Sequence, residues 1–150
     1  MRLLVQRVLD ASVTIEGKIN GQIGSGYVVF IGIEDNDDKA IAEKMVKKLI
    51  NLRIFEDENG KTNLSIKDVD GELLLISQFT LYADCHHGNR PSFINAGAPD
   101  HANDLYEYMI SLCTNEVKKV ATGIFGADMK VALTNDGPFT IWLDSREVIH

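Results

Sequence analysis

The polar and apolar positions at the start of the chain alternate with a period of two. Arg2 to Val8 and Ser12 to Glu16 read as β structure, with Val13 and Ile15 set between polar neighbours. Lys18 to Gly24 is turn-rich and continues a meander. Gly26 to Ile33 breaks the alternation: Val28, Val29, Phe30 and Ile31 form a short, β-branched apolar run, which predicts a strand buried on both faces. From Asp37 to Ile50 the period changes again. Ile41, Ala42, Met45, Val46, Leu49 and Ile50 make one apolar stripe, while Lys39, Glu43, Lys44, Lys47 and Lys48 face water, so a helix is predicted. Asp37 and Asp38 fall in its first turn and lysines in its last, matching the helix dipole.

Beyond it come Arg53 to Glu56, a turn at Glu58 to Lys61, and a short segment from Leu64 to Ile66. Asp70-Gly71 then introduces a strand from Glu72 to Gln78. Cys85 to Pro99 is irregular, with Gly88, Pro91, Gly97 and Pro99, and connections of that length are often functional. A second helix is expected from Asp100 to about Lys118, burying Leu105, Tyr108, Met109, Leu112 and Cys113. Met129 to Thr134 and Phe139 to Leu143 read as the last strands, joined through Asn135-Asp136-Gly137-Pro138. Neither a repeat nor a linker interrupts residues 1–150, so the expectation is one domain, mostly β with two helices.

The bulk composition narrows the functional classes. No apolar run reaches the roughly 18 residues that span a bilayer, and Arg2 and Arg7 enclose too few apolar positions for a signal-peptide core. The expected setting is the cytoplasm. Two cysteines, Cys85 and Cys113, suggest neither a disulfide framework nor a zinc knuckle. A net charge of −7 opposes general nucleic-acid wrapping, which relies on many phosphate contacts. Any RNA substrate should be held locally, at an end.

Familiar catalytic signatures are missing: the chain has no GxSxG, Walker loop, HExxH or strand-linked GxGxxG. His86-His87 beside Cys85 invites a metal, but adjacent side chains diverge, and solvated loop histidines are the expectation. No metal or cofactor is expected. Ser77-Gln78-Phe79-Thr80-Leu81 closes an apolar strand with two hydroxyls and an amide. Taken alone, it reads as a strand end whose polar groups cap exposed backbone. The alternative is that it presents hydroxyls and free N–H groups to a ligand. Thr80 as a nucleophile would need an activating base, and none stands beside it in the sequence. Asp136-Gly137 is a strong turn signal. Pro138 removes a donor where the returning strand should begin pairing, and its peptide bond has access to the cis form.

Together these segments resemble the D-aminoacyl-tRNA (D-tyrosyl-tRNA) deacylase family along nearly the whole chain. The matching features are Gln6-Arg7-Val8, Ser77 through Asp84, Gly88-Asn89-Arg90-Pro91-Ser92-Phe93, Pro99, Ala102, Thr122 through Ala127, Met129 and Gly137-Pro138. Phe139 stands where many members carry valine, and His86-His87 where a lysine is common. The resemblance implies an α+β fold: a single compact β-barrel-like domain of mostly antiparallel strands with two flanking helices. It also implies a homodimer in which the Gly137-Pro138 loop enters the partner's active site as a chirality filter, supported by Arg7. Ser77, Gln78 and Met129 would bind the substrate, the aminoacylated 3′ end of tRNA, with Phe79 and Thr80 catalytic through backbone N–H groups. The implied activity is tRNA editing, by hydrolysis of D-aminoacyl esters and of glycyl-tRNA(Ala). The competing expectation is a non-catalytic nucleic-acid-binding protein.

Overall fold

Long strand β1, Arg2–Ile15, organises the fold in the computed structural model, which describes residues 1 to 149. Along one edge it pairs antiparallel first with β3 (Gly26–Gly32) and then with β2 (Lys18–Ile23). Its other edge pairs antiparallel with β8 (Lys130–Asp144). Next to β3 lies β6 (Glu72–Ser77), and beyond that β7 (Val120–Thr122), both pairings parallel. The sheet therefore runs β2-β1-β3-β6-β7. Its two ends approach each other, and Asn20 Nδ2 on β2 donates to the carbonyl of Thr122 on β7 at 2.7 Å. The result is a mixed α+β fold with a nearly closed, barrel-like sheet.

The two-sided burial expected of Gly26 to Ile33 has a simple origin. On β3, Tyr27, Val29 and Ile31 join the cluster under the helices, while Val28 turns inward among Val8, Val13 and Ile23. On β6, Leu73 and Leu75 face the helices and Leu74 and Ile76 the interior. Helix α1 (Lys39–Asn51) and helix α2 (Pro99–Thr114) cover the outer cluster. Ala42, Met45, Val46, Leu49 and Ile50 are buried as the stripe predicts.

Several expectations are corrected. The two opening strands are one, because β1 stays extended through register shifts against β8 between Gln6 and Val8 and between Val8 and Ala11. Likewise β8 is one element, from which residues 136–139 loop out between the rungs Val8–Asn135 and Gln6–Thr140. Helix α1 begins later than Asp37. Asp38 is its N-cap, accepting from Ile41 N at 2.8 Å. Asp37 is buried and takes the Met1 ammonium at 2.7 Å, a stronger partner than a helix dipole. Helix α2 stops at Thr114, where Glu116 N and Val117 N both turn back to Cys113 O. Its buried tyrosine is Tyr106, whose hydroxyl donates to Leu75 O at 2.7 Å, rather than Tyr108. Two short elements add to those expected, a 3-10 turn at Phe79–Tyr82 and helix α3 at Ser145–Val148. Strands β4 (Phe55–Glu56) and β5 (Thr62–Leu64) form a separate small hairpin. Both cysteines are free thiols, and burial pushes the Cys113 thiol up to about 12. No helix among the described residues is long and apolar enough to cross a membrane.

Candidate active site

Parallel neighbours β3 and β6 end together, with Ile31 paired to Ser77. Where they end, a cleft of about 530 Å³ opens, within the range of small-ligand sites. Its floor is Ile31, Ile33 and Met129; Ser77, Gln78 and Phe79 form one side. Phe93, the start of α2 at Pro99 and Ala102, and the Phe125–Ala127 turn complete it. Phe79 and Phe93 meet edge to face with centroids 5.1 Å apart, and both rings remain partly open to solvent. None of the lining side chains is charged or titrates near neutrality.

Local geometry explains why main chain rather than side chain offers the chemistry here. Gln78 N still bonds to Ile31 O at 2.7 Å, the last rung of the ladder. The chain then tightens into the 3-10 turn, whose first N–H groups have no preceding carbonyl in reach. Among the described residues, neither the Phe79 nor the Thr80 N–H has an acceptor. The Thr80 side chain is exposed and lies outside the cleft lining, with its hydroxyl accepting from Gln78 Nε2. Among the described residues, no carboxylate or imidazole is hydrogen-bonded to it. Met129 lies so close to Gly123 that a Cβ there would meet its sulfur at 2.3 Å, so only glycine lets it pack at this depth.

Sequence reasoning named Ser77, Gln78, Phe79 and Met129, and the structure brings these four to one cleft. It missed Ile31 and Ile33, which a buried-strand pattern marks as core, and Ala96 and Gly97, which carry no chemical signal. Arg7, Gly137 and Pro138 lie elsewhere on the chain and do not line this cleft. The Gly137-Pro138 bond is cis, Gly137 has φ +134°, and both residues are exposed. Arg7 sits beneath them. Its Nε donates to Asp136 O at 3.1 Å and its Nη1 to Ile54 O at 2.6 Å. The guanidinium also lies 4.6 Å from the centre of the Phe139 ring. Asn135 Nδ2 bridges Arg7 O and Phe139 O at 2.9 and 3.0 Å, closing the base of the loop. His86 and His87 touch edge to face at 4.6 Å in an exposed loop. No cluster of three or more metal-ligating side chains occurs among the described residues.

Comparison with known proteins gives these features a family. Residues 4–144 match the family described as D-Tyr-tRNA(Tyr) deacylase. A D-aminoacyl-tRNA deacylase of Clostridium novyi (strain NT) is 53% identical over 147 residues, covering 98% of this chain and 99% of its own. One from Thermosipho africanus (strain TCF52B) is 51% identical over 148 residues, covering 99% of both chains. A solved structure named c-Myc DNA Unwinding Element Binding Protein superposes with a TM-score of 0.91 at 40% identity, over 96% of this chain and 98% of that one. A probable eukaryotic D-amino acid tRNA deacylase shares the fold, with a TM-score of 0.79 at 16% identity over 95% of this chain and 97% of that one. The chain belongs to the D-Tyr-tRNA(Tyr) deacylase family. It is a hydrolase of the ester bond that joins an amino acid to tRNA.

Proposed function

We propose that the cleft receives the aminoacylated 3′-terminal adenosine of tRNA and that the protein removes D-amino acids from it. The observation that carries this reading is an uncharged cleft that Phe79 lines and Thr80 adjoins, with no acceptor for either N–H among the described residues. An aminoacyl ester is already an activated acyl group. Its hydrolysis needs support for the tetrahedral oxyanion more than it needs a strong nucleophile, and aimed N–H groups supply that support. Water is the nucleophile, oriented by the ribose 2′-hydroxyl of the substrate itself. Ser77, Gln78 and Met129 hold the aminoacyl-adenosine, and Phe79 offers its open ring to the base.

The chirality filter in this reading is Gly137-Pro138 of a second copy of the chain. Three features support it: the pair is exposed, it lies outside its own cleft, and Arg7 and Asn135 brace it from below. Main-chain oxygens fixed near the substrate α-carbon would collide with an L side chain and admit a D side chain, so selection works by rejection. Glycine has no side chain to reject, and glycyl-tRNA(Ala) is a second substrate. Charged tRNA is a cytoplasmic species, and we place the reaction there.

The test is turnover of D- and L-tyrosyl-tRNA by the purified protein. Release of free D-tyrosine with L-tyrosyl-tRNA intact is expected. Equal cleavage of both would remove the filter. Binding without release of amino acid would favour the non-catalytic nucleic-acid-binding reading.

A further inference from the structure

We propose that a second, polar cleft next to the first binds the phosphodiester on the 5′ side of the substrate's terminal adenosine. This rests on the placement of that adenosine in the main cleft. The second cleft, of about 310 Å³, is lined by Arg2, Glu34, Tyr82, Asp84, Asn95 and Arg146. No residue lines both clefts, but the two adjoin along the chain. Glu34 directly follows Ile33 and Asn95 directly precedes Ala96, and both Ile33 and Ala96 line the main cleft.

Tyr82 is the observation that asks for a ligand. The residue is 3% exposed, and its hydroxyl has no hydrogen-bond partner among the described residues. A buried hydroxyl left unpaired calls for an explanation. Burial, then the nearby Asp37 and Glu34 carboxylates, hold its phenol well above the ordinary range, so it keeps its proton to donate.

The arginines are only partly used. Arg2 lies over the Tyr82 ring at 4.4 Å, gives Nε to Asp144 and Nη1 to Leu81 O, and leaves Nη2 unassigned. Arg146 spends Nη2 on both oxygens of Glu34, and its Nε and Nη1 have no acceptor among the described residues. Of the acids, both Glu34 oxygens accept from Arg146 Nη2, while Asp84 Oδ1 accepts from His86 N and Asp84 Oδ2 has no donor among the described residues. What remains is mainly donors, from two guanidiniums and one phenol. A phosphodiester, with one charge and two non-bridging acceptor oxygens, fits them, while a cationic ligand would face both arginines. The substrate carries such a group one step from its terminal adenosine. A chain with a net charge of −7 has few places to meet phosphate, and this cleft is one beside the chemistry.

The experiment measures dissociation constants of adenosine and of the dinucleotide CpA for the full-length protein, Tyr82→Phe and Arg146→Gln. Tyr82→Phe removes a hydroxyl that has no partner among the described residues, so folding is not at risk. In the unsubstituted protein CpA should bind about ten-fold more tightly than adenosine, the size of one charge-assisted hydrogen bond, and the advantage should shrink with salt. Each variant should lose most of that advantage and keep its adenosine affinity. Equal binding of adenosine and CpA to the unsubstituted protein would overturn this proposal alone, as would variants that retain the full advantage. Binding of neither probe would overturn the adenosine placement and the proposal together.

Discussion

Arg7 Nε donates to the carbonyl oxygen of Asp136 at 3.1 Å, tying the first strand to a loop 129 residues later. With Nη1 on Ile54 O and the Phe139 ring beside the guanidinium, this side chain fixes three separate parts of the chain. Arg7→Ala leaves those carbonyls unpaired in a buried setting and should cost about 2–3 kcal/mol of stability, read from the denaturant midpoint. D-tyrosyl-tRNA turnover should fall, and the preference over L-tyrosyl-tRNA should narrow. Arg7→Lys should rescue little, because one ammonium cannot reproduce the fork. Unchanged stereochemical preference in the alanine variant would separate the loop from the filter.

Thr80 offers a sharp contrast between side chain and main chain. Among the described residues its hydroxyl bonds only to the Gln78 amide, so Thr80→Ala should keep kcat within about ten-fold of the unsubstituted enzyme. Thr80→Pro deletes the N–H of the second residue of the turn and should cost at least about 10²–10³-fold in kcat. Single-turnover rates decide between the two. A collapse with alanine would restore the hydroxyl as nucleophile.

Gly123 sets the depth at which Met129 packs. A methyl group there would overlap the Met129 sulfur, which is flexible enough to move away into the cleft. Gly123→Ala should therefore cost about 1–3 kcal/mol of stability while raising KM for D-tyrosyl-tRNA several-fold. A KM that does not move would take Met129 out of the substrate's wall.

Asp144 links stability to acid. Burial works to raise its pKa, but the Arg146 N–H and the Arg2 guanidinium together hold it below the ordinary value of 3.8. A folded-state value below the unfolded one means that the native protein binds fewer protons in between. The stabilisation is thus complete above 3.8 and disappears as pH falls through the folded-state value. Acid titration of the unfolding free energy should be less steep below 3.8 in Asp144→Asn than in the unsubstituted protein.

Much of this architecture is legible in the residues. The Val28–Val29 run and the α1 stripe mark what they become, because burial of apolar faces is a local pattern. Other features depend on distant partners. Nothing near Asp37 announces that the Met1 ammonium will take it, and periodicity is blind to strand direction, so the parallel β3–β6 and β6–β7 pairings stay hidden. The same blindness hides the cleft floor. Ile31 and Ile33 are core residues, and they also line the cleft because β3 and β6 end side by side. Tyr106 and Tyr108 differ by two positions on one helix, and only the packing of Leu75 decides which is buried.

A cleft without a thiol, a carboxylate or a base-assisted hydroxyl also has a pharmacological meaning. Electrophilic warheads that inactivate serine and cysteine hydrolases would find nothing there to acylate. Inhibition would have to come from shape: a non-hydrolysable mimic of the charged nucleotide, seated against amide hydrogens that no point mutation short of proline can take away.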